Sequence, residues 1–242
     1  MSAVPTVYAK NQPTGFTNRI QRTTIGGGQM GKHLTVHLLA TKKHIITAIT
    51  RPASTNQLRE SLIVVRIDYA SEDASDIDAL VDALHNQQVL LITMSHHALA
   101  ATTNPVLAAA KVGVPYVLPS WFGHDAANEA VIKDSMMMGF LDNAKVIGRL
   151  GVSFDFLLVC NFWYEFSPGG GPQRYGFDFK ERSLTLYDGG KIAINTSTWL
   201  RCGRAISKLL SLNELPEDEN DISPAISQSC NIYVYISSFR VS

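Results

Sequence analysis

Residues 23–34 read TTIGGGQMGKHL, which predicts a strand that ends in a glycine turn and passes directly into a helix. Gly26, Gly28 and Gly31 have the G-x-G-x-x-G spacing. Gly26 would allow the tight turn out of the strand, Gly28 would let a pyrophosphate approach the backbone, and Gly31 would let the helix pack closely on the strand. The helix would then present free N–H groups and the positive end of its dipole to phosphates.

The segments after the turn supply the context that this short motif needs. Leu34, Leu38 and Thr41 fall on one helical face, and residues 44–50, HIITAIT, form the β-branched run of a buried parallel strand. Strand, glycine turn, helix and strand make the βαβ unit of a dinucleotide-binding fold. A glycine-rich surface turn is the alternative, and we favour nucleotide binding.

The residue after the second strand bears on which dinucleotide would bind. Folds that bind NAD place Asp or Glu there, because a carboxylate accepts hydrogen bonds from the ribose 2′-OH. Here Arg51 and Pro52 follow the strand, and a guanidinium is a planar, permanently charged partner for a 2′-phosphate. The sequence therefore predicts NADP(H) rather than NAD(H), with a solvated arginine at a loop entrance as the alternative.

Strands and helices continue to alternate, which predicts an α/β fold of the Rossmann type with a doubly wound parallel sheet. The further strands are predicted at 62–67, 89–94, 115–119 and 154–160, and the further helices at about 77–84, 104–112 and 128–150. We expect a loose N-terminal lead over 1–18 and an NADP-binding Rossmann domain over 19–160. Residues 161–242 would form a smaller C-terminal substrate-binding region that covers a cleft at the edge of the sheet.

The composition excludes several classes of protein. The chain has 242 residues, of which 45% are hydrophobic, and its 21 basic residues balance 21 acidic ones, so nucleic acid and anionic membranes are not expected partners. Cys160, Cys202 and Cys230 are odd in number and far apart, as in a cytoplasmic protein with reduced thiols. Neither a secretory signal nor an apolar run of membrane-spanning length is visible.

With these segments placed, the chain resembles the NmrA-like and isoflavone-reductase-like branch of the atypical short-chain dehydrogenases, and within it the fungal oxidoreductases of the CipA type. The resemblance runs from about Ile20 over nearly the whole chain. It rests on residues 25–31, the strand that ends in Arg51, residues 116–123 and residues 161–163. It implies a Rossmann domain that binds NADP(H) and, in catalytic members, hydride transfer to small aromatic or polyketide-like substrates.

The resemblance also assigns roles to residues of this chain. Arg51 would hold the 2′-phosphate. The residues that would hold the pyrophosphate are those of the glycine turn: Gly26, Gly28, Gln29, Met30 and Gly31. The residues that would lie along the rest of the cofactor are at and just beyond the carboxyl ends of the predicted fourth and fifth strands: Thr93, Met94, Ser95, Pro119, Ser120, Trp121 and Phe122.

Two departures from the family bear on catalysis. Catalytic members carry a lysine on the helix after the Pro-Ser-x-x-Gly loop, and that position is Phe140 here. Lys133 lies two helical turns earlier on the same face, so we take it as a candidate catalytic residue, with a solvated lysine as the alternative. The chain also stops at Ser242, whereas relatives continue through helices that wall the substrate pocket. We expect that pocket to be open, completed by a partner subunit, or missing.

Other side chains carry weaker signals. His124 lies in the loop nearest the expected nicotinamide and could act as an acid or orient the substrate. Phe162 and Trp163 could stack on an aromatic substrate or pack in the core. His33 and His37 are spaced as metal ligands but lack a third partner, so no metal is expected. Residues 187–191, YDGGK, match Tyr-x-x-x-Lys, but Asp-Gly-Gly predicts a hairpin turn and not the helix that such chemistry needs.

The sequence thus predicts an NADPH-dependent reductase of a small aromatic or polyketide-like secondary metabolite. A protein that binds NADP(H) without turnover and regulates a partner is the alternative from another class, and a cofactor-dependent isomerase or cyclase is a third. The expected partners are a small-molecule substrate and, in addition, a second copy of the chain or a regulatory protein.

Overall fold

The computed structural model describes residues 7–26, 28–94, 101–119, 122–123, 130, 133, 156–159, 162–163, 176–191, 195–229, 232–235 and 239–240. Five parallel strands form the main sheet: β1 (Arg22–Gly26), β2 (Ile45–Thr50), β3 (Ile63–Arg66), β4 (Val89–Leu91) and β5 (Tyr116–Leu118). Three helices join them: α1 (Gln29–Ala40), α2 (Ala74–Leu84) and α3 (Thr103–Val112).

The strand order is β3-β2-β1-β4-β5, so the direction of winding reverses at β1. Thr24 of β1 pairs with Thr47 of β2 on one side and with Leu90 of β4 on the other. In such a sheet, ligands bind outside the carboxyl ends of the strands at the point of reversal. The Rossmann fold is therefore confirmed, and the glycine turn lies at that point.

Alternate residues of the strands face two separate cores, as a sheet covered on both faces requires. Leu91 and Leu118 pack with Leu34 and Leu38 of α1 in one core. The neighbouring residues Leu90, Ile92 and Val117 pack in the other core with residues of α2 and α3. This two-sided burial explains why β4 and β5 are short apolar runs without polar alternation.

The C-terminal half adds three further sets of strands. The three-stranded sheet β12-β7-β6 consists of β6 (Phe122–Gly123), β7 (Phe156–Val159) and β12 (Ile232–Tyr235). The sheet β13-β11-β8 consists of β8 (Phe162–Trp163), β11 (Asn195–Ser197) and β13 (Phe239–Arg240). An antiparallel pair joins β9 (Phe177–Asp178) to β10 (Ser183–Leu184).

The pair β9 and β10 corrects the predicted hairpin turn. The turn lies at residues 179–182, where Asp178 Oδ1 accepts hydrogen bonds from the backbone N–H groups of Lys180 and Glu181. Residues Tyr187–Gly190 instead form a short 3-10 turn with a positive φ at Asp188. The Tyr-x-x-x-Lys match therefore lies outside any α-helix, as expected.

Helix α4 (Trp199–Leu209) packs on α1 and belongs to the main core. Its residues Cys202 and Ile206 are buried in the same cluster as Leu34 and Leu38. Gly203 lets the helices approach closely, since a Cβ there would lie 2.6 Å from the carbonyl oxygen of His33. Residues 199–209, which the sequence placed in the smaller substrate-binding region, thus complete one face of the sheet. The domain boundary at residue 160 stays a prediction.

Hydrogen bonds tie the segment before β1 to the segment that follows α4, and the extent of the N-terminal lead stays a prediction. Asn18 Nδ2 donates to the carbonyl oxygen of Leu215 at 2.9 Å, and the Leu215 N–H donates to Asn18 Oδ1 at 2.7 Å. The N–H of Ala9 donates to the carbonyl oxygen of Pro216. Across the described residues, no helix combines the length and the apolar character that crossing a bilayer requires.

Candidate functional site

The glycine turn ends β1 at Gly26 and begins α1 at Gln29. Gly28 is the N-cap residue with an extended backbone, so it brings no side chain to cap the helix, and the first turn of α1 holds no acidic residue. The first N–H groups of a helix have no partner within the helix. The N-terminus of α1 therefore keeps both its donors and its positive dipole for an anion.

Thr93 holds the turn together from the end of β4. Its Oγ1 donates to the carbonyl oxygen of Gly26 at 2.8 Å. A Cβ on Gly28 would lie 2.7 Å from the Thr93 carbonyl oxygen, and a Cβ on Gly31 would lie 2.0 Å from the Gly26 carbonyl oxygen. The close packing predicted for Gly31 is thus confirmed. The space that a Cβ of Gly28 would occupy is filled by the backbone of Thr93.

A cavity of about 260 Å³ opens beside the turn, along one face of α1. Gly28, Gly31, Lys32 and Thr35 contribute to it, at the i, i+3, i+4 and i+7 spacing of a single helical face. The other described lining residues come from the turn, β2 and the segment between β2 and β3: Gly26, Ala48, Asn56, Gln57, Leu58, Arg59 and Leu62.

Lys32 and Arg59 are the charged side chains among the described lining residues. Neither residue was predicted from the sequence. Lys32 had a local signal, because it directly follows the third glycine of the motif. Arg59 had none, since it lies in a polar segment without periodicity and reaches the cavity only through the path of the chain. Arg51 is exposed after β2 and does not line the cavity.

The other predicted cofactor residues are placed as follows. Met30 and Phe122 are each 6% exposed and belong to the same core cluster, so their side chains are packing groups. Pro119 is buried, and Met94 is half-buried against the second core. Ser95, Ser120 and Trp121 lie outside the described residues, as does the side chain of Gln29.

The predicted catalytic and substrate residues are described only in part. Lys133 is exposed in a helical conformation, and Phe162 and Trp163 form β8, although their side chains are not described. His124 and Phe140 lie outside the described residues. The structure therefore brings together the glycine turn and Thr93, and it leaves the catalytic assignment a prediction.

His33 and His37 lie at the contact between α1 and α4. The His33 ring centroid is 5.5 Å from that of Trp199, and a Cβ on Gly203 would touch His37 Cδ2 at 2.7 Å. In the described parts of the chain, no group of three or more His, Cys, Asp or Glu side chains could hold a metal ion. Both histidines are thus part of the packing between the helices.

Among the described residues, His44 and Glu214 are at least partly buried groups with shifted pKa values, and both lie outside the cavity. Burial lowers the pKa of His44, whose exposed fraction is 8%, and a hydrogen bond with the Ile20 backbone opposes that shift. Burial raises the pKa of Glu214, and a hydrogen bond from Tyr116 opposes that shift. These groups bear on stability and not on cofactor binding.

No protein-family model matches the chain. Oxidoreductase aprR of Aspergillus flavus is 28% identical over 102 residues, which make up 42% of this chain. The match spans 33% of the length of aprR, so the matched segment corresponds to about a third of that relative.

Solved structures match over more of the chain. AtPrR2 with NADP+ and (+)pinoresinol has a TM-score of 0.68 at 18% identity, covering 92% of this chain and 71% of that one. Leucoanthocyanidin reductase from Vitis vinifera, in a ternary complex, has a TM-score of 0.57 at 18% identity, covering 78% of this chain and 63% of that one. An isoflavone reductase has a TM-score of 0.56, also at 18% identity. The chain therefore has the Rossmann fold of these three structures, which is the fold that the resemblance implied.

Proposed function

We propose that the protein is an NADPH-dependent reductase that acts on a small aromatic or polyketide-like secondary metabolite. The observation that carries the proposal is the cradle at the end of β1. Its glycines leave no room for side chains, its helix N-terminus is uncapped, and its cavity is bordered by cations. Support for NADP(H) comes from structures of the same fold, among them AtPrR2 with NADP+ and leucoanthocyanidin reductase with NADPH.

The backbone of the glycine turn would hold the pyrophosphate. The N–H groups of Gln29 and Met30, in the first turn of α1, would donate to phosphate oxygens, and this role is supported by Gly28, which adds no capping side chain. Arg51, at the carboxyl end of β2, attracts the 2′-phosphate. Residues 93–95 and 119–122 keep their proposed places along the rest of the cofactor.

The bound coenzyme would supply the hydride, and the protein would orient the substrate and deliver a proton. Lys133 and His124 are the proposed proton donors. Phe162 and Trp163 are proposed to stack on an aromatic substrate, since aromatic rings give large contact areas with specific geometry. A cytoplasmic location belongs to the same proposal and rests on the cysteine pattern alone.

The test is consumption of NADPH with quinones, enones and phenylpropanoids as substrates. We expect turnover with at least one class, and a lower rate with NADH. Lys133→Ala and His124→Ala should lower kcat while NADPH binding persists, and Lys111→Ala, which removes another exposed lysine, serves as the control. A protein that binds NADPH tightly but consumes none with any class would contradict the reductase proposal.

A regulatory protein that binds NADP(H) without turnover is the second proposal, because Phe140 occupies the position of the family lysine. A phenylalanine cannot exchange a proton. This proposal predicts a protein partner whose affinity differs between the NADP+ and NADPH forms. Pull-down of a stoichiometric partner with each form measures that difference, and equal binding would argue against regulation by the redox state.

A further inference from the structure

The hairpin of β9 and β10 has one apolar face. Phe177 pairs directly with Leu184 across the two strands, so both side chains lie on the same face of the hairpin. The rings of Phe177 and Phe179 stack with their centroids 6.1 Å apart, which places Phe179 on that face as well. Leu186 has an extended backbone and follows Leu184 at the two-residue period of a strand, so it continues the face. We call these four residues the hairpin patch.

The hairpin patch is open to solvent. Its members are between 46% and 68% exposed, and none of them belongs to either core cluster of the described residues. The opposite face of the hairpin is polar, with Asp178 paired to Ser183. Alternation of apolar and polar residues is typical of antiparallel strands whose apolar face packs on another surface. Here the apolar face of such a strand pair lies in water, which marks it as an interaction site.

The backbone holds the hairpin in shape. The Thr185 N–H donates to the carbonyl oxygen of Gly176 at 2.8 Å, which extends the ladder to the base of β9. At the turn, Asp178 Oδ1 accepts hydrogen bonds from the N–H groups of Lys180 and Glu181. Two strands alone are marginally stable in water and need a surface on which their apolar face can pack. A second surface against the hairpin patch would supply that support.

We propose that the hairpin patch is the contact of a two-fold dimer, in which the patch of one copy packs face to face on the patch of a second copy. An apolar face is complementary to itself, and two-fold dimers that use the same surface on both subunits are the commonest soluble oligomers. Stacked sheets pack about 10 Å apart, and the side chains of the two faces interdigitate. The inference does not depend on the proposed function, since no nucleotide takes part in the contact.

The area of the patch matches what such a dimer needs. An aromatic side chain has about 150–250 Å² of surface, so a patch residue that is about half exposed contributes on the order of 100 Å². Tyr187, which directly follows the patch in the chain, is 52% exposed and adds a similar area. Two copies would together bury on the order of 1,000 Å², which reaches the lower bound of specific interfaces.

The charges around the patch favour a second copy over a membrane surface. Lys180, Glu181 and Arg182 lie at the turn of the hairpin, and Asp188 and Lys191 follow the patch in the chain, all of them exposed. An amphipathic segment that lies on a membrane is rich in Lys and Arg, whereas cations and anions are mixed here. With both signs at its rim, the patch can meet a second copy with unlike charges facing each other.

The experiment is analytical ultracentrifugation of the full chain without nucleotide, over about 0.1–100 μM, where interfaces of this size dissociate. Phe179→Lys and Leu186→Lys replace the two most exposed patch residues, and each should raise the dissociation constant of the dimer at least about thirtyfold. Ser183→Lys is the matched control, because it adds the same charge to the polar face of the same hairpin, opposite Asp178. Ile222→Lys replaces an apolar residue that is 98% exposed outside the hairpin, and both controls should remain dimeric.

Circular dichroism checks that each variant keeps the wild-type secondary structure, which we expect because the replaced side chains are exposed. Three results would overturn the inference. The first is a wild-type monomer over the whole concentration range, and the second is a wild-type dimer that Phe179→Lys and Leu186→Lys leave intact. The third is flotation of a monomeric wild type with phosphatidylserine vesicles that is lost in Phe179→Lys, which would assign the patch to a membrane. None of these measurements uses NADPH, so their failure would leave the reductase proposal standing.

Discussion

Gly31→Ala tests the close contact between α1 and β1, because two physical effects predict opposite signs. Alanine is normally about 1 kcal/mol more favourable than glycine inside a helix, which alone would stabilise the protein. The new Cβ, however, would lie 2.0 Å from the Gly26 carbonyl oxygen and 2.9 Å from Thr93 Oγ1. To remove this steric overlap, α1 has to move by about 1 Å. Overpacking of this kind destabilises the folded protein by about 1–3 kcal/mol.

We therefore expect the free energy of unfolding to fall by up to about 2 kcal/mol. NADPH affinity should fall by at least about tenfold, because a shift of about 1 Å misplaces the N–H groups that bind phosphate. Urea denaturation followed by circular dichroism measures the first effect, and fluorescence titration with NADPH measures the second.

Gly113→Ala is the matched control for Gly31→Ala. Gly113 has φ of 74° at the end of α3, with no atom near its missing Cβ. An alanine there is strained by about 1–2 kcal/mol, so it lowers stability without touching the turn and should leave NADPH binding unchanged. If Gly31→Ala is instead more stable than wild type and binds NADPH normally, the assigned contact between helix and strand is wrong.

Three further substitutions test other parts of the structure. Gly203→Ala should lower the free energy of unfolding by about 1–3 kcal/mol, since its Cβ would lie 2.6 Å from the His33 carbonyl oxygen; chemical denaturation measures this. Burial lowers the pKa of His44, so the unfolded chain takes up this proton at a higher pH than the folded protein does. Thermal stability should therefore fall as the pH drops below about 6.5. His44→Leu should flatten that slope between neutral and acidic pH. Burial raises the pKa of Glu214, so its contribution is fully present below about pH 4.5 and is lost as the pH rises through the folded-state pKa. Glu214→Gln, which keeps an acceptor for the Tyr116 hydroxyl, should therefore raise the urea midpoint at neutral pH and not at acidic pH.

Local patterns in the sequence were sufficient for the main sheet and the glycine turn. The apolar runs at 44–50 and 89–94 contain β2 and β4. A strand of a sheet that is covered on both faces is recognisable in the sequence as such a continuous apolar run. The spacing of Gly26 and Gly31 predicted the helix contact, since the geometry of a βαβ unit depends on few residues and short range.

The features that the sequence did not indicate depend on contacts between distant parts of the chain. Arg59 reaches the cavity through the course of an irregular segment, which has no periodicity to read. Thr93 was expected beside the cofactor, yet its hydroxyl bonds to Gly26, a residue 67 positions earlier. Helix α4 has a clear amphipathic pattern, but that pattern does not say which face of the sheet the helix covers.

The packing of α4 on α1 has a consequence for synthesis of the chain. Leu34 and Leu38 are fully buried in a core that also needs Cys202 and Ile206. At a translation rate of about 5–20 residues per second, α4 emerges from the ribosome on the order of ten seconds after α1. During that interval the nascent chain exposes one apolar face of its sheet, so we expect it to be a client of chaperones that bind apolar surfaces during translation.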